Sequence, residues 1–240
     1  MEVVELKNLK KTMFPSEIFA ELEKKDGNIS IIFFIFIFLS SFLLLYLVKI
    51  SPLFSLIRNG ENYSYKLIFV LLMDMPGIIA VIVVLRYRKQ KINTIGLRRQ
   101  GFKSSIYIGV TLILMFWFCY ISNKGFSMEL VWGSLFYIIF IGFYEELIFR
   151  GFLWPRLVVG FGRTWGTIIS GLFFGMMHLP IDIIFNNKTI FETFILGATS
   201  NSNIGGGVVG ALWFIFIYTR NKNILLPSFI HGIQNMLSML

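Results

Sequence analysis

The chain has 240 residues, a formal net charge of +9 and a hydrophobic content of 56%, including 27 phenylalanines. Its mean hydropathy of +0.74 is far above what a water-soluble domain needs to build one core, so the composition excludes that class and favours a membrane protein. The single cysteine, Cys119, excludes an intrachain disulfide and any metal site made of several cysteines.

Continuously apolar runs recur along the chain, each close to the roughly 20 residues that an α-helix needs to cross a membrane. Membrane strands would instead alternate apolar and polar residues, so the runs predict helices. The expected fold is an all-α, polytopic membrane helical bundle. Its predicted crossings are 29–50, 67–85, 104–122, 130–158, 164–180, 190–219 and 224–240.

The sixth run is interrupted by the polar stretch TSNSN at 199–203 and by GGG at 205–207. Such an interruption can split one crossing into two shorter helices. Seven or eight transmembrane helices are therefore expected. Residues 1–28 are expected to form a cytoplasmic N-terminal segment, and residues 29–240 the transmembrane helical domain.

The basic residues lie between the apolar runs, a pattern that indicates membrane orientation and not nucleic-acid binding. The loop 86–103 holds seven Lys and Arg residues and no acid. If this loop is cytoplasmic and the chain crosses seven times, 17 of the 22 Lys and Arg residues fall on the cytoplasmic side. We therefore expect a multi-pass protein of the cell membrane with a cytoplasmic N-terminus and no nucleic-acid partner.

Three ionisable residues lie inside the fourth run, in the stretch YEELIFRG. A charge within the lipid bilayer is costly, which makes such residues candidates for function. Glu146 and Arg150 are four residues apart with the acid first, the spacing of a helical ion pair. Glu145 points about 100° away around the same helix and needs a partner from another helix.

The chain offers two histidines as partners. His178 follows Ser170 and Phe174 at helical spacing, and His231 precedes Asn235 by four residues. One histidine on an apolar helix is usually a packing residue. Two histidines in predicted crossings, in a chain whose one unpaired glutamate in the middle of a run is Glu145, favour a shared site.

The fourth and fifth runs have matching lengths around a predicted turn at 160–163. Glu145 lies about 16 residues before the middle of that turn and His178 about 17 residues after it. Because an antiparallel helix pair puts residues equidistant from the turn at one height, the two side chains are predicted to meet.

A carboxylate and a neutral imidazole that converge on a water molecule can remove its proton as it attacks a carbonyl. A second imidazole and an amide can donate hydrogen bonds to the resulting oxyanion. The same atoms admit another interpretation, in which Glu145, His178 and His231 bind a divalent metal such as zinc that activates the water.

The chain thus contains three motifs, in this order along the sequence: EELIFRG, Phe174 with His178, and His231 with Asn235. They resemble the EExxxR, FxxxH and HxxxN motifs of the CAAX prenyl endopeptidase type II family, also called the CPBP or Abi family of intramembrane proteases. The resemblance covers about residues 130–240. No single motif is specific, but three in order within 91 residues on membrane helices are together a strong signal.

The resemblance implies that a peptide bond is hydrolysed within or at the membrane. It assigns water activation to Glu145 and His178, and oxyanion stabilisation to His231 and Asn235. It assigns a structural supporting role to the remaining motif residues, Glu146, Arg150 and Phe174. Family members are described both as metalloproteases and as metal-free glutamate-type enzymes, and we favour the metal-free form.

The chain is most similar to the bacterial branch of the family, whose substrates are mostly peptides or membrane proteins. Bacteriocin immunity, peptide-pheromone maturation and export are roles found there, so a prenylated substrate is not expected. Two other interpretations stay open: a non-enzymatic bacteriocin-immunity or binding protein on the same fold, and a transporter that uses Glu145 and the histidines as a proton relay.

Overall fold

A computed structural model describes residues 14–59, 63–195 and 204–240. Within these ranges the chain is helical and contains no strand, which confirms the all-α prediction. The polar stretch 199–203 lies outside the described ranges, and so do residues 1–13 of the predicted N-terminal segment.

Thirteen α-helices of very different lengths are present in the described ranges. They are α1 (Ser16–Phe19), α2 (Lys25–Lys49), α3 (Pro52–Asn59), α4 (Tyr63–Arg88), α5 (Phe102–Lys124), α6 (Met128–Leu135), α7 (Tyr144–Glu146), α8 (Trp154–Phe161), α9 (Arg163–Met176), α10 (Leu179–Ile184), α11 (Ile190–Ile195), α12 (Ile204–Asn221) and α13 (Leu225–Met236). Two π-helical segments, Phe136–Phe143 and Leu147–Leu153, flank α7, and 3₁₀ turns lie at Ile92–Ile95 and Leu237–Met239.

Five helical stretches are long and apolar enough to cross a membrane, and they coincide with the first five predicted runs. Their outer faces carry large apolar side chains, such as Leu114 at 60% and Phe118 at 73% exposure. Contact with lipid removes the cost of exposing such faces to water. The five stretches are Lys25–Lys49, Ser64–Arg88, Phe102–Lys124, Met128–Phe161 and Arg163–Ile184. The chain is therefore a multi-pass membrane protein.

The last two predicted crossings have a different internal structure. In the described part of the run 190–219 the structure has α11 and α12, and the run 224–240 contains the short α13 followed by a 3₁₀ turn. A total of seven or eight transmembrane helices remains a prediction.

The helices group into two compact units. The first unit comprises Met1–Glu21, Lys89–Phe152 and Phe214–Leu240, and the second comprises Leu22–Arg88 and Leu153–Trp213.

The second unit is built on α2, which packs against α4, α8 and α10. α8 and α9 form a hairpin that turns at Gly162, whose φ of +82° lies in the left-handed region that favours glycine. At one end of the unit, Arg88 Nε donates to Asp26 Oδ1 at 2.7 Å. At the other end, Lys49 Nζ donates to Asn187 Oδ1 at 2.7 Å. These polar contacts tie the helix ends together at both limits of the apolar region.

The first unit is built on α13, which packs against α5 and against the first π segment. At the start of α13, the Asn223 side chain donates to the Arg98 carbonyl. Beyond its end, Lys124 Nζ donates to the Met239 carbonyl at 2.6 Å. With its 3₁₀ turn, α13 thus follows α5 along its length and in the same direction, although α13 itself has only 12 residues.

A polar layer closes one end of the first unit. Arg98 Nη1 donates to the Tyr218 hydroxyl at 2.5 Å, and Lys222 Nζ donates to Glu17 Oε1 at 2.7 Å. The hydrogen bond from Lys222 lowers the pKa of the Glu17 carboxyl. The N-terminal segment, the loop after α4 and the turn between α12 and α13 therefore lie at the same end of this unit.

The close approach of α13 and the first π segment predicts a strong effect of Gly232→Ala. A Cβ at Gly232 would lie 2.7 Å from Ile138 Cα, whereas a Cβ at Gly210 would find only Phe174 Cε1 at 4.0 Å. Overpacking of this kind costs about 1–3 kcal/mol, so Gly232→Ala should lower the thermal midpoint of the detergent-solubilised protein. The matched control Gly210→Ala should not lower it. Equal midpoints for the two variants would contradict this packing.

Candidate active site

The two adjacent carboxylates lie on α7, a three-residue α-helical stretch between two π-helical segments. The backbone pattern therefore changes twice within the Met128–Phe161 span, where the sequence alone predicts one regular α-helix. π-helical turns are rare and are often found at functional sites. They rotate neighbouring side chains relative to one another in a way that apolar periodicity does not reveal.

Glu146 is held by Arg150. The Arg150 Nη1 atom lies 3.0 Å from Glu146 Oε1, and both side chains are fully buried. Each charge offsets the desolvation cost of the other, because a buried ion without a counterion is strongly destabilising. The ion pair expected from the four-residue spacing is thus present.

Glu146 also contacts a residue of α13. His231 Nδ1 lies 2.9 Å from the same Oε1 atom of Glu146. A carboxylate oxygen accepts, so Nδ1 is the donor and carries a proton. This hydrogen bond fixes the ring orientation and leaves Nε2 as the nitrogen that faces away from Glu146.

Nε2 of His231 faces Glu145. The distance from Nε2 to Glu145 Oε2 is 3.6 Å, longer than a direct hydrogen bond. The Glu145 side chain is 23% exposed, whereas that of Glu146 is fully buried. Within the described part of the chain, Glu145 Oε2 is buried and accepts no hydrogen bond. Glu145 therefore combines a partly exposed side chain with a buried oxygen that is not engaged in a hydrogen bond to the described residues.

Phe214, in the second half of α12, lies between the two groups that hold Glu146. Its ring stacks on His231 with a centroid distance of 4.6 Å and an interplanar angle of 25°. The guanidinium of Arg150 lies 4.9 Å from the centre of the same ring. A closed ring of contacts thus joins Glu146, Arg150, Phe214 and His231. Within it, the His231 ring is oriented by its hydrogen bond to Glu146 and by its stacking on Phe214.

The sequence alone does not indicate that Phe214 belongs to the site. The residue lies in a strongly apolar helix with many aromatic residues, and its spacing to Tyr218 is that of any pair on one helical face. No pattern in the sequence distinguishes it from a packing phenylalanine.

Asn235 lies one helical turn after His231 on α13 and is half-buried. Its backbone carbonyl accepts from Ser238, while its side-chain amide makes no hydrogen bond to the residues that the structure describes. The amide remains available as a donor.

His178 and Phe174 belong to the second unit. α9 ends at Met176, and His178 lies at the junction with α10, where Pro180 in the first turn cannot donate a backbone hydrogen bond. His178 Nδ1 lies 3.0 Å from the Phe174 carbonyl, and the two rings make an edge contact at 5.3 Å. Because the carbonyl accepts, Nδ1 carries the proton and Nε2 is left as an acceptor. The predicted meeting of His178 with Glu145 remains a prediction.

The first unit offers one imidazole, that of His231, and the carboxylates of Glu145 and Glu146. Glu146 Oε1 is already engaged by Arg150 and His231. Across the described ranges, no group of three or more His, Cys, Asp or Glu side chains is placed to hold a metal ion. Within the first unit, the described residues therefore supply fewer free ligands than the three protein ligands of a catalytic zinc site.

Comparison with known proteins gives one finding. Residues 127–237 match the family model described as type II CAAX prenyl endopeptidase Rce1-like. The matched range includes all of the motif residues named above. Neither the search of curated proteins nor the search of solved structures found a match.

The buried ion pair predicts different outcomes for single and paired substitutions. Glu146→Gln leaves the Arg150 guanidinium buried without its counterion, which costs about 3–5 kcal/mol, so the yield of folded protein should fall sharply. The double variant Glu146→Gln/Arg150→Met removes both charges and should recover most of the yield, as measured by size-exclusion chromatography of detergent extracts. Glu129→Gln, at the exposed start of α6, is the matched control. No recovery in the double variant would contradict a mainly charge-pairing role for Glu146.

Proposed function

The chain carries a type II CAAX prenyl endopeptidase Rce1-like domain at residues 127–237, and from this membership we propose a Glu145-based intramembrane endopeptidase. The family makes the chain a membrane-embedded protease of the CAAX type. The proposed substrate is a membrane-associated peptide or membrane protein. The main support for the proposal is the position of the buried Glu145 Oε2 atom. This atom lies 3.6 Å from His231 Nε2 and accepts no hydrogen bond within the described residues.

In the proposed mechanism, Glu145 acts as general base. Its carboxylate takes a proton from a water molecule as the water oxygen attacks the carbonyl carbon of the scissile peptide bond. A positioned general base accelerates such a step by about 10²–10⁴-fold. The proton is then passed to the leaving amide nitrogen as the peptide bond breaks, which returns Glu145 to its ionised form.

His178 is proposed to orient the same water. Its Nδ1–H is directed to the Phe174 carbonyl, so Nε2 is the acceptor for a water proton. This role rests on the tautomer within the second unit and on the family motif that Phe174 and His178 form.

His231 and Asn235 are proposed to stabilise the tetrahedral intermediate. Glu146 accepts from Nδ1 of His231, so when the ring carries a second proton, Nε2–H is the donor directed toward the reacting oxygen. The Asn235 amide supplies another donor from the next helical turn. Donors that are fixed before the reaction stabilise an oxyanion strongly in a site that excludes water, and loss of one donor costs about 10²–10³-fold in rate.

The contacts within the first unit support the seven-helix topology. An even number of crossings must separate segments that meet at one end of a unit. Arg98 contacts Tyr218 and the carbonyl of Lys222, which fits the four crossings that a seven-helix topology puts between them. An eighth crossing within 190–219 would make this number odd. We therefore favour seven crossings with a cytoplasmic N-terminus.

The same contacts indicate the depth of the carboxylates. Gly151 packs against the backbone of Ile95, in the basic loop that is predicted to be cytoplasmic. Glu146 lies five residues before Gly151, and the π-helical residues between them rise by less than the 1.5 Å per residue of an α-helix, so Glu146 lies less than about 8 Å below that level. We propose that the site opens toward the cytoplasmic leaflet. A substrate cut near its membrane boundary fits this depth better than one cut at the bilayer centre.

The decisive experiment compares membrane peptides from cells that produce the wild-type chain, Glu145→Gln or Glu129→Gln. Mass spectrometry should find product peptides with the wild type and with Glu129→Gln. Glu145→Gln should reduce their rate of formation by about 10²–10⁴-fold without loss of folded protein. His178→Ala and His231→Ala should reduce it to a similar extent. Unchanged product peptides from Glu145→Gln would rule out Glu145 as the general base, and full protection of cells from a bacteriocin by Glu145→Gln would favour the non-enzymatic alternative.

Phe214 should affect turnover more than substrate binding. In Phe214→Leu the ring that stacks on His231 is lost, and a misplaced imidazole should lower kcat by about 10- to 100-fold with little change in KM. Phe214→Tyr keeps the ring and is the matched control. Steady-state cleavage of a product-derived peptide gives both constants, and an equal loss in the two variants would rule out positioning by the ring.

A further inference from the structure

A cavity of about 850 Å³ lies in the first unit, where the basic loop meets the start of α5. Arg99, Lys103 and Ser104 line it, together with the apolar side chains of Phe102 and Leu225. Among the residues that the structure describes, no acidic side chain is part of its lining. The cavity therefore presents positive charge beside apolar surface, at the level where a membrane helix begins.

Two cations in this cavity are available to a ligand. Arg98 is engaged by Tyr218, but Arg99 and Lys103 are exposed and make no ion pair with any residue that the structure describes. The first turn of α5 adds to their field, because the helix has 23 residues and no side chain caps its N-terminus. A free helix N-terminus favours an anion through its unpaired N–H groups and its dipole.

A second cavity of about 450 Å³ lies deeper in the same unit, between α5, α6, the first π segment and α13. Its lining is almost entirely apolar and includes Ile113, Trp117, Ile138 and Phe229. Leu225 lines both cavities. A ligand with an anionic headgroup and an apolar chain would therefore match both cavities: the headgroup would bind in the basic cavity and the chain in the apolar one, on the two sides of Leu225.

We propose that these two cavities form a binding site for an anionic phospholipid, with the phosphate at Arg99 and Lys103 and one acyl chain in the apolar cavity. The basic loop is on the predicted cytoplasmic side, where anionic lipids concentrate and where basic pockets between membrane helices bind their headgroups. The apolar cavity distinguishes a lipid from free phosphate, which has no group to fill it.

The test uses the full chain reconstituted in vesicles that contain equal amounts of phosphatidylcholine and phosphatidylglycerol. After extraction in mild detergent, native mass spectrometry counts the lipids that stay bound. The wild type should retain phosphatidylglycerol in preference to phosphatidylcholine. Arg99→Gln/Lys103→Gln should reduce that preference by about fivefold for each cation removed, the contribution of one cation near an anionic membrane surface.

The control variant Lys89→Gln/Lys91→Gln removes the same charge from two exposed residues of the same loop that do not line the cavity. It should keep the preference. Val131→Trp, which fills the apolar cavity, should reduce retention of both lipids. Inorganic phosphate added during extraction should not displace the bound phosphatidylglycerol.

Equal retention of the two lipids by the wild type would overturn the proposal, as would an equal loss in the control variant. Displacement of the lipid by inorganic phosphate would show that the basic cavity binds free phosphate. Unchanged lipid retention in Val131→Trp would show that no acyl chain occupies the apolar cavity. The readout is binding, so each outcome is independent of whether the protein cleaves a peptide.

Discussion

The site depends on one buried carboxylate, that of Glu146. It lies 3.0 Å from the Arg150 guanidinium and 2.9 Å from the His231 ring, so one oxygen connects a charge on its own helical span to an imidazole on α13. A carboxylate and a guanidinium are each too costly to bury alone, and the pair is tolerated because each partner compensates the other. Once Glu146 is fixed in this way, it determines which nitrogen of His231 faces the space beside Glu145.

Two neighbouring residues of the same type thereby acquire different chemistry. Glu146 is fully buried and engaged, whereas the Glu145 side chain is 23% exposed and its Oε2 atom accepts no hydrogen bond in the described part of the chain. Two features contribute to this difference between Glu145 and Glu146. The π-helical segments on either side of α7 set the directions of the two carboxylates, and the stacked ring of Phe214 orients His231. Supporting contacts of this kind orient the groups that react.

The sequence predicted the membrane class, the first five crossings and the Glu146–Arg150 contact, because each follows from a local rule: run length, apolar content or helical spacing. It also indicated that Glu145 needs a partner from another helix, since an isolated charge in lipid is costly. It did not predict the π segments, because a π-helix and an α-helix have the same apolar composition. The hydrogen bond from His231 Nδ1 to Glu146 and the stacking of Phe214 are tertiary contacts between residues far apart in the chain, and no local pattern encodes them.

The hydrogen bond by which Glu146 holds His231 through Nδ1 can be measured directly, because the chain contains only two histidines. Nitrogen NMR of protein labelled with ¹⁵N-histidine, in lipid nanodiscs and with His178→Gln for assignment, reports the protonation of each ring nitrogen of His231. We expect a proton on Nδ1 in a strong hydrogen bond, and we expect the double variant Glu146→Gln/Arg150→Met, which should keep its folded yield, to weaken that bond. An Nδ1 atom without a proton, or a spectrum that the double variant leaves unchanged, would show that Glu146 does not hold the ring.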